Sequence, residues 1–391
     1  MALCSVFLCG GLTMQACAEP AVTGRPAASQ WQTCLEEAAA EVIVPGAIAA
    51  VVSPDGHKWN GAVGVSEITA QVEWPKESAD TRKSNRGVKA PKLQGRPMDP
   101  SLGFQSASIL KTLVATLVLM LDQQGILHLD DTVESWYPDL LSNGHLMTIR
   151  NLLNHTSGLA CYTDNQEFFE ELDRNPHRKW QPRELIGYAL NPEGGLSPGQ
   201  GWAYSDTNYL VLGLIIEKAT GEKWPVLLKD RIMEPLGLKD TFVPESSFIP
   251  GPHSHGYRFD FQEPGRWHDY TDYADPSWMG AAGALVSTAD DLLTWLGALL
   301  AGRLLDERHR ELMFQFEPTG RPNVSYGLGL GNWNGAVGHG GDYVFGFQTG
   351  MYRYRGYDFV IMTNGPPARL GVLDGPWEIF SRMARLVTRQ W

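Results

Sequence analysis

Ser108-Ile109-Leu110-Lys111-Thr112-Leu113-Val114-Ala115 is the stretch on which the reading of this chain turns. A serine at the start of a helix sits beside backbone N–H groups that have no partner within the helix. A lysine three residues later lies on the same face, one turn on, so its amine can reach the hydroxyl. A serine hydroxyl is a weak nucleophile and needs such a base. A neutral lysine can serve if burial or a nearby cation lowers its pKa. Ser108 is the only serine of the chain with a lysine at that spacing. The plain alternative is a capping serine with a surface lysine. Thr112 to Ala115 count against it, because they read as a buried helix.

The chain around this stretch has 391 residues, 43% of them hydrophobic and 19% charged, as in an ordinary globular protein. Its net charge of −12 argues against nucleic-acid binding, which needs cations to displace phosphate counterions. No apolar run after residue 20 reaches the roughly 20 residues of a membrane span. Met1 to Met14 is apolar and uncharged, and Ala16-Cys17-Ala18 has the small residues that signal peptidase accepts. Residues 1–18 therefore predict an export signal and a periplasmic or extracellular protein. A lipid anchor on Cys17 is the rival reading, with Met14-Gln15-Ala16 a poor lipobox. The remaining cysteines, Cys34 and Cys161, are taken as unpaired.

Ala47–Val52 and Trp59–Val65 flank Ser53-Pro54-Asp55-Gly56 and predict a hairpin, behind a helix that begins near Ser29. Residues 76–96 carry seven basic and two acidic side chains and read as a solvated insertion. Helices are expected over Ile109–Gln124, Tyr209–Ala219 and Ala289–Ala301, each followed by glycine. Strands are expected over Tyr326–Leu330, Val344–Tyr352 and Tyr357–Met362, then a closing helix over Gly375–Arg389. This order predicts an α+β fold, with one antiparallel sheet drawn from 19–105 and 306–391 and a mainly helical unit, 106–305, inserted between them.

Two further clusters carry chemistry. Tyr204-Ser205-Asp206 precedes a helix, and its phenol, hydroxyl and carboxylate can move protons or hold an amide. As a helix start it can equally be an ordinary cap. Gly338-His339-Gly340-Gly341-Asp342 reads as glycines beside a predicted strand, which admit a substrate to the backbone and leave N–H groups free to hold an oxyanion; the plain alternative is a turn before strand Val344–Tyr352. His253-Ser254-His255 lacks the acidic or cysteine partners of a metal site, and His155 reads as a hydrogen-bonding loop residue.

Taken in order, Ser108-x-x-Lys111, Tyr204-x-Asp206 and His339-x-Gly341 resemble the three signature boxes of the serine penicillin-recognising hydrolases, in the branch of class C β-lactamases and secreted D-alanyl-D-alanine carboxypeptidases. Leu152-Leu153-Asn154-His155-Thr156-Ser157-Gly158-Leu159, Gly283 to Leu292 and Tyr326-Gly327-Leu328-Gly329-Leu330 are similar to lesser markers of that branch, and the likeness runs from about residue 31 to 390. The resemblance implies the β-lactamase-like fold and hydrolysis of an amide or ester through an acyl-enzyme on Ser108. Lys111 and Tyr204 would share the base role, and His339 would polarise the region of Tyr204. The N–H groups of Ser108 and Asp342 would form the oxyanion hole. Asp206, Gly340, Gly341, Trp278 and Phe168 would contact the substrate, the last two as aromatic cleft walls. It implies no cofactor and no metal, and a small-molecule or peptide substrate such as a cell-wall peptide, a β-lactam or an ester.

The chain departs from that pattern in three ways. Asp206 stands where asparagine is usual, and a carboxylate there favours the charged form of Lys111 and shifts the base role toward Tyr204. Gly340 has no hydroxyl, and Gly331 to Gly338 contains no cation to hold a substrate carboxylate. A carboxylesterase or a D-aminopeptidase-like hydrolase therefore stays open beside a carboxypeptidase or β-lactamase. So does an idle module of the same fold that binds cell-wall peptides.

Overall fold

The computed structural model describes residues 25–70, 92–190, 197–260, 266–368 and 374–388. The expected signal, Cys17 and most of the basic insertion lie outside them. No described helix is long and apolar enough to cross a membrane.

Among the described residues, nine antiparallel strands form one sheet. They are β1 (Gly46–Val52), β2 (Lys58–Ala70), β3 (Gln94–Pro97), β4 (Glu317–Pro318), β5 (Val324–Tyr326), β6 (Gly331–Trp333), β7 (Ala336–Tyr343), β8 (Phe347–Tyr354) and β9 (Tyr357–Thr363). Their order is β3-β2-β1-β9-β8-β7-β6-β5-β4, so both ends of the chain meet where β1 pairs with β9. The run Gly-Ala-Ile-Ala-Ala-Val-Val of β1 is apolar throughout because both its faces are covered. Side chains alternate across a strand. Ala47, Ala49 and Val51 pack with Phe359 and Ile361 under α1 (Ala28–Val42) and the C-terminal helix Gly375–Arg385. Ile48, Ala50, Val360 and Met362 face the larger core, which includes α2 (Leu110–Gln123).

That central helix is buried on every side from Leu110 to Leu119. It continues a 3₁₀ turn, Ala107–Ile109, whose first residue holds φ +46°, a conformation costly for any side chain but glycine's. Ser108 thus sits on a strained turn between strand residues Phe104–Gln105 and the buried helix α2. Helices Thr207–Thr220 and Ala289–Leu300 match expectation, and Gly221 and Gly302 follow in left-handed conformation.

The C-terminal strands correct the sequence reading. Gly338 to Asp342 lies not beside a strand but in the middle of one, β7, which rules out the plain alternative of a turn. Val344 lies on the connection after it, with Gly346 at φ +118°, and β8 starts only at Phe347. The single strand expected over Tyr326–Leu330 is the end of β5 followed by a bend. There Gly329, at φ +83°, lies so close to α2 that a β-carbon would come within 2.3 Å of Ala115. The closing helix stops at Arg385 rather than Arg389.

Candidate active site

Lys111 is fully buried, 0% exposed, and all three protons of its ammonium have acceptors. Its Nζ donates to Ser108 Oγ at 2.9 Å, to Asp206 Oδ1 at 2.6 Å and to the Ala282 carbonyl at 2.6 Å. Burial alone would push the amine toward its neutral form. The Asp206 carboxylate, with a smaller contribution from Tyr204, overturns this and raises the pKa above the usual lysine value. Lys111 is therefore an ammonium at rest, in the direction expected from Asp206.

Asp206 is itself held. Its Oδ2 accepts from Thr163 Oγ1 at 3.2 Å and from Cys161 Sγ at 3.7 Å, and its N–H donates to that sulfur at 3.2 Å. Cys161 and Cys34 are free thiols, and burial, helped by the Asp206 charge, pushes Cys161 up to about 11. The thiol stays protonated at neutral pH and donates to the carboxylate.

The Lys111 amine lies 5.1 Å from the centre of the Tyr204 ring, and Ser108 and Lys111 are both near enough to act on its phenol. Burial raises its pKa above the usual tyrosine value. The Lys111 charge opposes this, and Asp206 adds to it. At rest Tyr204 is a neutral phenol.

β7 closes the other side of Ser108. Gly341 lies so near the Ser108 turn that a β-carbon would come 2.1 Å from the Ser106 carbonyl oxygen and 3.3 Å from the Ser108 nitrogen. Any other residue there would push the strand off the turn. His339 is buried on the same strand. Its Nδ1 donates to the Gly340 carbonyl and its Nε2 accepts from the Tyr326 hydroxyl at 2.8 Å. Burial and the Lys111 charge lower its pKa to about 4, so it is neutral. Its ring centre is 6.3 Å from that of Tyr204. As a neutral ring it offers Tyr204 no positive charge.

A cleft of about 540 Å³ opens over Ser108. Tyr204, Asp206, His339, Gly340, Gly341 and Asp342 line it, so three stretches distant in sequence meet there. Phe168 and Trp278 do not. They are 0% and 1% exposed and stack at 6.1 Å inside an aromatic cluster with Tyr162 and Trp180. Large apolar rings are drawn into a core as readily as to a cleft wall. The cleft's aromatic wall is instead Trp202, Tyr326 and Trp333. Tyr326 opens one of the lesser markers and Trp202 stands two residues before Tyr204, whereas Trp333 lies in the stretch Gly331–Gly338, which carries no cation. Arg321, between β4 and β5, supplies a cation that the stretch Gly331–Gly338 lacks. Only the folding of that connection over the cleft reveals it. Gln348 and Asp374 complete the lining.

The family model described as Beta-lactamase matches residues 31–379. This chain belongs to the beta-lactamase family. Among curated relatives, it is 30% identical over 277 residues to penicillin-binding protein 4* of Bacillus subtilis, a match covering 66% of this chain and 59% of that protein. It is 33% identical over 205 residues to esterase EstB of Burkholderia gladioli, covering 48% and 50%. The matches thus span roughly half of these relatives' own length. Among solved structures, a D-stereospecific amidohydrolase from a Streptomyces species superposes with TM-score 0.74 at 30% identity, covering 93% of this chain and 99% of that one. The D-amino acid amidase of Ochrobactrum anthropi superposes with TM-score 0.76 at 26% identity, covering 92% and 98%. The β-lactamase-like α+β fold is thereby the fold of this family member.

Proposed function

We propose that the protein hydrolyses an amide or ester through an acyl-enzyme on Ser108, with a D-configured amide as the first substrate class to try. The observation that carries this is the 2.9 Å contact between a buried ammonium and a serine hydroxyl that opens into a cleft. The two solved neighbours matched along nearly their whole length, a D-stereospecific amidohydrolase and a D-amino acid amidase, support the substrate class.

The resting charges suggest the proton path. Lys111 is already protonated and cannot act as the base. The reactive form is then the Tyr204 phenolate, a minor species held by the Lys111 charge. Ser108 Oγ bonds to the substrate carbonyl carbon while its proton passes to the Tyr204 oxygen. The N–H groups of Ser108 and Asp342 hold the oxyanion, each donor worth about 10²–10³ in rate. The tyrosine proton then goes to the departing nitrogen or oxygen as its bond to carbon breaks. Water, giving a proton to Tyr204, releases the acid by the same steps. Asp206 fixes the ammonium, and Gly340 and Gly341 admit the substrate alongside β7.

A D-alanyl-D-alanine carboxypeptidase is the second reading, favoured by one observation: Arg321 places a cation in the cleft where a terminal carboxylate could bind. The test is a panel of D- and L-amino acid amides, D-alanyl-D-alanine peptides, a cephalosporin and a nitrophenyl acetate, with a fluorescent penicillin as covalent label. Turnover that vanishes in Ser108→Ala, with the label on Ser108, is the expected result. Turnover that survives that substitution would take the chemistry off Ser108 and overturn the proposal; no turnover and no label in the unaltered protein would overturn it too and leave an idle binding module as the better account.

A further inference from the structure

His155 follows the short helix Ile149–Leu153 and stands in a left-handed conformation, φ +62°, while buried to 0% exposure. Histidine is among the few side chains enriched there. All of its hydrogen bonds reach one segment. Its carbonyl accepts the N–H of Ala203 at 3.0 Å. Its Nδ1 accepts the N–H of Ser205 at 3.2 Å and the Asn208 amide at 3.1 Å. Tyr204 lies between the two gripped amides, and its ring stacks on the imidazole, centres 4.3 Å apart and planes 33° apart.

The tautomer follows from these donors. Ser157 Oγ accepts from Leu159 N–H, so its own proton goes to Asn208 Oδ1 at 2.6 Å. The Asn208 amide nitrogen therefore faces Nδ1, which must be a bare acceptor. The ring proton is on Nε2, which has no hydrogen-bond partner among the described residues; the imidazole packs against Tyr326, Tyr209 and Trp202, with ring centres 4.8, 5.6 and 6.1 Å from its own. A second proton on Nδ1 would confront two donors. Burial and the charge on Lys111 oppose it as well.

The geometry points to His155 as the positioning residue of Tyr204: a neutral imidazole that grips the backbone on both sides of the tyrosine and stacks on its ring, so that the phenol oxygen stays aimed at Ser108 and Lys111. This rests on the reading above that Tyr204 carries the proton.

The experiment is a double-mutant cycle on the full chain with the best substrate of the panel. His155→Asn keeps an acceptor near Nδ1 and tolerates positive φ but loses the ring. Misaimed proton transfer should lower kcat about 10- to 100-fold, with KM changed less than about twofold. In a Tyr204→Phe background the same substitution should change kcat by less than about twofold, because the group it aims is gone. Equal losses in both backgrounds, or no loss in either, would overturn the positioning role. Tyr204→Phe alone reports on the underlying reading: near-normal turnover in that variant removes the proton carrier and leaves His155 nothing to position. If His155→Asn does not fold, as judged by circular dichroism, His155→Phe runs the same cycle, keeping the stack and losing the acceptor.

Discussion

α2 carries a buried charged group near each end, and the two ends behave differently. Near its start, Lys111 pairs with Asp206 at 2.6 Å, with side chains 0% and 15% exposed. Near its end, Asp122 meets His309 Nε2 at 3.0 Å, with side chains 8% and 4% exposed, and His309 Nδ1 meets Asp306 at 2.6 Å. Burial and hydrogen bonding are alike, and buried polar pairs are common enough in purely structural roles. What differs is where the remaining polar contact goes. Asp122 spends its spare capacity on His128 and the N–H of Leu129. Lys111 spends its own on a hydroxyl that faces a cleft. A buried charge becomes a candidate for catalysis when one of its partners is a reactive atom that a ligand can reach.

The sharpest way to break this comparison is Lys111→Met. Acylation of Ser108 by the fluorescent penicillin, and kcat/KM with the best substrate, should fall by about 10²–10⁴. Wild-type rates in a folded Lys111→Met protein would make both ends of the helix merely structural. His309→Gln asks the opposite question. It should cost about 1.5–3 kcal/mol of stability in urea unfolding, through lost charged hydrogen bonds, and leave kcat/KM unchanged. A drop in kcat/KM without a drop in stability would move the second cluster into the catalytic machinery.

Acid titration comes next. His339 has a folded pKa of about 4 against a reference value of 6.5, so between those pH values the unfolded chain binds the proton and the folded chain does not. Stability contributed by this residue is intact above 6.5 and declines as pH falls toward 4, by about 1.4 kcal/mol per pH unit. Unfolding measured from pH 7 to 4 should be correspondingly less acid-sensitive in His339→Asn. Identical slopes would mean that His339 gains its proton while folded. The smallest effect, a displacement of a profile, is expected of Asp206→Asn. The carboxylate raises both Lys111 and Tyr204, so its removal lowers both. The alkaline limb of the pH–rate profile for acylation should move to lower pH. A limb that stays put or moves upward would remove Asp206 from control of the two groups.

Much of this was legible before folding. The spacing of Ser108 and Lys111 placed both on one helical turn, and apolar runs with glycine stops located the main helices. The central hairpin of the sheet was visible from its turn residues. β7 was not legible, because Gly338, Gly340 and Gly341 erase the alternation that marks a strand. Gly341 is required because the strand must lie against the Ser108 turn, and Gly338 because it lies against the backbone of β8, which are tertiary requirements. Phe168 and Trp278 misled for a related reason: aromatic identity does not say which side of a wall a ring occupies.

Local chemistry, which depends on neighbours a few residues apart, is written along the chain. It determined the candidate nucleophile and its amine, the phenol-bearing helix start, and the sheet assembled from both ends. Charge state depends on everything within a few ångströms, whatever its place in sequence. Only the fold brings Thr163 and Cys161 to Asp206, the Ala282 carbonyl to Lys111, Tyr326 to His339 and Arg321 to the cleft. Those meetings decide that the lysine rests charged, the tyrosine and histidine rest neutral, and the site offers a substrate one cation on an aromatic wall.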